Sequence, residues 1–258
     1  MSAAVAAAPR LGVDRTGSGP PLVLLHPLGA DRKVWRPVTQ RLAAEREVLA
    51  VDLPGFGDSP PLDGPGAPTP AALAEAVAAG LAALGIGDFD VAGNSLGGWV
   101  ALELGLSGRA RSVVAIAPAG LWPEPLPPRR ALARTAARIA LHFAGLPARV
   151  PALRRIVMAG FVAHPERMPA RAVRDLIRAY ALAPGFAEVN AAMRANAFSG
   201  LGRIPVPVTL AWPEHDRIVS RLRQPPPNVR TVILRDAGHL PMWDDPQLVA
   251  ELLLSPST

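Results

Sequence analysis

Three residues whose side chains could work together stand far apart in this chain: Ser95 in VAGNSLGGWV, Asp216 in AWPEHDRIV and His239 in LRDAGHLPMW. A serine hydroxyl is a poor nucleophile near neutral pH. It becomes reactive when a base within hydrogen-bond reach takes its proton, and that base needs an acid to fix its tautomer. His239 can be the base, and Asp216 or its neighbour Glu214 can be the acid. Gly93 and Gly97 bracket the serine. A strand that reverses into a helix within about one residue forces its hinge into a disfavoured backbone geometry, and glycines on either side leave it room. The chemistry on offer is attack by a hydroxyl on an electrophilic carbon.

Such residues must be held by something, and the surrounding pattern says what. Short apolar runs occupy 21–26, 46–52, 89–93, 111–118, 206–212 and 229–236. Continuous Val/Leu/Ile runs of this length read as strands buried on both faces, as in a parallel sheet. Helical stretches near 36–45, 70–85, 96–107 and 246–254 alternate with them, which argues for a doubly wound, mostly parallel α/β sheet. Ser95, Asp216 and His239 each follow one of the runs, where the loops at strand ends lie. Residues 121–203 break the rhythm: they hold proline-punctuated helical stretches and no convincing strand. The expected organisation is a core of 1–120 and 204–258 with an all-helical cap of 121–203. Asp244 and Asp245 before Pro246 read as a helix start, with Asp245 as N-cap.

Composition narrows the classes. The chain has 258 residues, half of them hydrophobic, and no cysteine. That length suits one large domain, and the missing cysteines exclude disulfides, thiolate metal sites and a cysteine nucleophile. The histidines are scattered without H-x-x-x-H spacing, so no metal is expected. The net charge is +6, but Lys33 is the only lysine and no basic block is interleaved with aromatics, so nucleic acid is not an expected partner. The basic stretch from Arg129 to Arg178, with only Glu166 and Asp175 against it, reads as a solvated helix surface. No apolar run approaches the roughly 20 residues of a membrane span. MSAAVAAAPR lacks a basic start and reads as a frayed tail, not a signal peptide; the expected location is the cytoplasm.

The chain resembles the α/β-hydrolase superfamily over nearly its whole length. HPLGADRKVW resembles the family's His-Gly loop, VDLPGFGDS its D-x-x-G-x-G-x-S turn, GNSLGG its nucleophile elbow, DRIV its acid loop and AGHLPMWDDP its histidine loop. The order serine, acid, histidine is also the family's. Two departures are Pro27, after His26, and Pro213, before the acid loop, where the family usually has glycine. The resemblance implies Ser95 as nucleophile, His239 as base, Asp216 rather than Glu214 as acid, and the N–H groups of Leu28 and Leu96 as an oxyanion hole. His26 becomes a structural hydrogen-bonder. The implied activity is cofactor-free hydrolysis of an ester, lactone or thioester of a hydrophobic small molecule. Phe143, Phe161, Tyr180 and Phe186 would furnish an apolar pocket in the cap, while Asn94 and Trp99, flanking the elbow, are candidates for substrate contact that packing also explains. Two alternatives stay open: cleavage of carbon–carbon bonds in ring-fission products, favoured by Asn94 and disfavoured by Leu240 where such enzymes carry tryptophan, and a slow-turnover ligand sensor. A monomer and a homodimer are equally compatible with the sequence.

Overall fold

Residues such as Leu22, Val23, Leu24 and Leu25 are all buried, so the strand they form needs cover on both faces. The computed structural model describes residues 9–64, 66–127, 138 and 150–255; Phe143 and the first eight residues of the expected N-terminal tail lie outside them. Seven strands form one sheet: β1 (Val13–Thr16), β2 (Pro21–Leu25), β3 (Glu47–Val51), β4 (Asp90–Asn94), β5 (Ser112–Ile116), β6 (Val208–Pro213) and β7 (Val229–Leu234). Their order is β1-β3-β2-β4-β5-β6-β7. Strands β2 to β7 are parallel, and β1 pairs antiparallel with β3 from Val13 opposite Val51. The doubly wound, mostly parallel sheet is the expected one. Strand β1 was not anticipated, because VDRT is short and mostly exposed and carries no apolar run.

Alternate residues of each central strand feed two cores. Val23, Leu25, Val113 and Ala115 pack with Leu73, Val77 and Leu81 of α2 (Pro70–Ala83) and Val100 and Leu104 of α3 (Leu96–Leu106). Leu22, Leu24, Val114 and Ile116 pack with Val38 and Leu42 of α1 (Arg36–Leu42) and Val249, Leu252 and Leu253 of α8 (Pro246–Leu254). A single turn, α7 (Pro241–Asp244), precedes α8, and Asp245 caps α8 by accepting from the Leu248 N–H at 2.9 Å, with Pro246 at the first position, as the sequence predicts.

Between β5 and β6, the longer described elements are α4 (Pro151–Met158), α5 (Ala170–Leu182) and α6 (Phe186–Arg194). Among the described residues of this interval no strand occurs. Its helices join both cores: Phe186, Val189 and Met193 on one face of the sheet, Met158, Ala172 and Val173 on the other. They also touch the loops that follow the strands. The Gly185 N–H donates to Gly55 O after β3 at 2.9 Å, Phe198 N–H to Gly120 O after β5 at 2.8 Å, and Leu240 N–H after β7 to Phe161 O at 2.8 Å. The described part of this insertion therefore lies against the loops at the carboxyl ends of β3, β5 and β7. Among the described residues no helix is long and apolar enough to cross a membrane.

Candidate active site

The chain leaves β2 toward β3 on one side and returns to β4 on the other, so β2 and β4 flank the point where strand order reverses. The crevice beyond the carboxyl ends of such strands is where open α/β sheets place ligands. Ser95 emerges from β4 at this crevice. Its backbone is left-handed, with φ 56° and ψ −114°, a geometry a non-glycine residue adopts only where its surroundings enforce it. Those surroundings are visible. Ser95 N–H donates to Ile116 O at 2.9 Å and Ser95 O accepts from Trp99 and Ala119 at 3.0 Å. A Cβ on Gly93 would run into the Gly97 carbonyl, and one on Gly97 into the Leu25 carbonyl, so both positions need glycine. Leu96 opens α3, and a first-turn N–H has no partner in its own helix.

The loop after β2 carries Leu28. Its shape is set by His26, which is fully buried. His26 Nε2 accepts from the Leu53 N–H at 2.9 Å while its Nδ1 meets Pro27 O at 2.9 Å, which requires the proton on Nδ1. Burial holds this imidazole below its ordinary value of 6.5 despite the nearby Asp52 carboxylate, so it stays a neutral bridge. Ala30 N–H closes a turn onto Pro27 O at 3.1 Å, a bond that uses the carbonyl proline keeps and not the N–H it lacks. Arg32, just beyond, pairs with buried Asp52 and pins the loop to the end of β3.

Beyond β6, Asp216 turns back into the site. Its Oδ1 accepts from the Ile218 N–H at 2.7 Å and the Val219 N–H at 3.1 Å. Its Oδ2 lies 2.8 Å from His239 Nδ1, both side chains being only 4% exposed. Burial alone would raise the Asp216 carboxyl, but the hydrogen bond and charge of His239 and the two backbone donors outweigh it, holding the group below its ordinary 3.8. Glu214 is engaged elsewhere: its carboxylate accepts from the Asp236 N–H at 3.0 Å. The arrangement can hold an imidazole in one tautomer with its other nitrogen free to exchange a proton.

Asn94 and Trp99, candidates for substrate contact that packing also explains, both turn inward. Asn94 is fully buried and donates Nδ2 to Ile116 O and to His239 O, each at 3.1 Å, which ties the histidine loop to the residue before Ser95. Trp99, 2% exposed, donates Nε1 to Glu103 Oε1 at 2.9 Å and meets Trp122 edge-on. Both are held by packing: Asn94 ends β4 inside the sheet and Trp99 lies on the buried face of the first turn of α3. Of the aromatic residues of the insertion, Phe161 has an exposed ring and meets the histidine loop through its carbonyl. Phe186 is 7% exposed and stands edge-on to Tyr180 with centroids 4.9 Å apart. A Cβ at Gly29 would fall 2.6 Å from Tyr180 and 3.1 Å from Phe186, so this pair rests directly on the loop that carries Leu28. His164 bridges Asp236 at 2.8 Å and Glu166 at 3.3 Å.

Sequence reasoning missed Asp244. It is 3% exposed and caps nothing; its carboxylate accepts from the N–H of Gly238 at 2.7 Å, of His164 at 2.8 Å and of Ala163 at 3.1 Å. The only available signal was that two consecutive aspartates precede Pro246 while one suffices for a cap. Among the described residues no group of three or more His, Asp or Glu is placed to hold a metal ion.

Comparison with known proteins agrees with this architecture. The family model described as "Alpha/beta hydrolase family" matches residues 22–252. The chain is 32% identical over 201 residues to "Epoxide hydrolase EphH" of Mycobacterium tuberculosis, covering 72% of this chain and 93% of that one. It is likewise 32% identical over 268 aligned positions to "Pimeloyl-[acyl-carrier protein] methyl ester esterase" of Aeromonas hydrophila, covering 94% and 97%. Among solved structures, a thermophilic esterase from Thermogutta terrifontis superposes with TM-score 0.69 at 24% identity over 94% of this chain and 91% of that one. An enol-lactonase from Burkholderia xenovorans superposes with TM-score 0.68 at 22% identity over 90% of each. A sheet of this order, the serine elbow after β4 and a family match spanning nearly the whole core make this chain a member of the α/β-hydrolase family and a hydrolytic enzyme.

Proposed function

We propose that this enzyme is a serine hydrolase, acting in the cytoplasm without a cofactor, that cleaves an ester, lactone or thioester of a hydrophobic acyl substrate through an acyl-enzyme. Ser95 Oγ attacks the carbonyl carbon as His239 takes its proton; the oxyanion is met by the N–H groups of Leu28 and Leu96; the carbonyl re-forms as His239 returns the proton to the leaving oxygen or sulfur. Water then repeats the sequence on the acyl-serine. The observation that carries the reading is the buried 2.8 Å contact of His239 Nδ1 with Asp216, on a histidine loop bonded to the residue before Ser95.

The relatives' names divide between an epoxide and an ester, and the side chain at the elbow favours the ester. Epoxide opening by a serine oxygen would leave an ether, which water does not cleave under enzymatic conditions, whereas acyl transfer leaves an ester that it does. The insertion, residues 121–203, is read as a cap that shapes the acyl pocket, supported by the contacts of its described part with the loops at the strand ends and by Phe186 and Tyr180 against the Leu28 loop. The substrate is a small molecule, or a small acyl group presented on a carrier as in the Aeromonas relative's name.

A fluorophosphonate probe tests the nucleophile. It is expected to label Ser95 in the parent protein and nothing in Ser95→Ala, which should also lose hydrolysis of acyl esters. Labelling that survives Ser95→Ala overturns the reading. Turnover of ring-fission ketones in preference to esters, lactones and thioesters would move the substrate to carbon–carbon bonds while leaving the triad in place.

A further inference from the structure

The proposed mechanism uses the side chain of His239 but says nothing of what aims it. Aim matters, since a displacement of about 1 Å at a reacting group costs on the order of 100-fold in rate. The backbone around His239 is held at three points. Its own carbonyl accepts from Asn94. The N–H on its carboxyl side, that of Leu240, donates to Phe161 O at 2.8 Å. The N–H on its amino side, that of Gly238, donates to Asp244 Oδ2 at 2.7 Å.

Asp244 does not end there. The same Oδ2 accepts from Ala163 at 3.1 Å and Oδ1 accepts from His164 at 2.8 Å, while Arg167 donates Nη1 to the Asp244 carbonyl at 3.0 Å. A buried carboxylate receiving three backbone N–H groups is held by charge-assisted bonds stronger than neutral ones. Both amides flanking His239 thus run to residues 161–164 of the insertion, one directly and one through Asp244. Close packing locks the same place: a Cβ on Gly238 would lie 2.7 Å from Ala163 N and 2.8 Å from Val162 Cα.

We infer that Asp244 is a positioning residue that fastens the loop of His239 to segment 161–164 of the insertion, so that the placement of the insertion is part of what aims the catalytic base. The inference rests on the triad proposed above. Its substrate-side consequence is that a rearrangement at 161–164 reaches His239 without any residue of that segment touching the substrate.

Asp244→Asn tests it, because an amide cannot accept from all three donors: one end presents N–H to N–H. With p-nitrophenyl acetate, too small to rely on a cap pocket, kcat is expected to fall about 10- to 100-fold with KM within about threefold of the parent, and the rate of fluorophosphonate labelling to fall in step. In a His239→Ala background, Asp244→Asn is expected to add nothing, since a residue acting through the histidine has no effect once it is gone. A variant that melts lower but keeps the parent kcat and labelling rate per folded molecule overturns the inference, as does an equal additional loss in the His239→Ala background. Should Asp244→Asn fail to fold, Arg167→Gln keeps the carboxylate and releases its backbone; a fall of kcat by about threefold or more at constant KM supports the positioning role, and an unchanged kcat overturns it. Absence of labelling in the parent protein instead overturns the triad itself, which separates the two failures.

Discussion

At the scale of single residues, the decisive contrast is between two carboxylates two positions apart. Asp216 reaches His239 while accepting two backbone bonds, and Glu214 accepts from Asp236 at the surface. Asp216→Asn is expected to lower kcat by about two to four orders of magnitude through loss of the tautomer, with Glu214→Gln within about threefold of the parent; steady-state kinetics on one acyl ester checks both. A second carboxylate carries a stability signature instead. Burial pushes the Glu103 carboxyl above its ordinary 4.5, against the hydrogen bond from Trp99. The folded state therefore holds this proton more tightly than the unfolded chain, and stability falls as pH rises from about 4.5 through the raised folded value. Glu103→Gln keeps an acceptor for Trp99 and removes that loss. It is expected to melt above the parent at pH 7 and to lose the advantage below pH 4.5, read by thermal melts across pH.

Elements position these residues for reasons of their own. The elbow works because β4 ends and α3 begins around one left-handed serine, with glycine where any Cβ would meet backbone. Helix α8 starts where Asp245 caps it and Pro246 presets its first turn, and it covers the sheet face opposite α2 and α3. Asp245→Ala is expected to cost about 1 kcal/mol, measured by chemical denaturation, with kcat nearly unchanged. Asp244→Asn should show the opposite balance. Two adjacent aspartates of the same type thus separate into one that starts a helix and one that reaches back across the histidine loop. Strand β1 shows the reverse case of an element built mainly by pairing: Val13 to Thr16 bond to β3 along one edge and contribute little to the core.

Across the whole molecule, the insertion bears on both cores and on the loops that follow β2, β3, β5 and β7. If it shapes the acyl pocket, Phe186→Leu is expected to change the ratio of kcat/KM between long and short acyl esters by about tenfold, since apolar groups in a pocket discriminate by roughly 1 to 3 kcal/mol. Labelling by a small probe should stay within several-fold of the parent, and an unchanged ratio in a stably folded variant would remove Phe186 from the pocket. The parallel sheet, its alternating helices, the glycine-bracketed serine and the Asp245 cap were legible in the sequence, because each follows from periodicity or from sterics within a few residues. Local rules could not place Asp216 against His239 across 23 residues, Asn94 against His239 O across 145, or Asp244 against Ala163 across 81. The sequence determined the six apolar strands, the corner and the order of the chemical groups, and its family resemblance singled out Asp216; the folded chain alone decided that β1 joins the sheet edge, that Asn94 turns inward and that Asp244 joins the loop to the insertion. A side chain's type and spacing set what it can bond, whereas the partner is chosen by which backbone the packing of two cores brings within 3 Å or so of it.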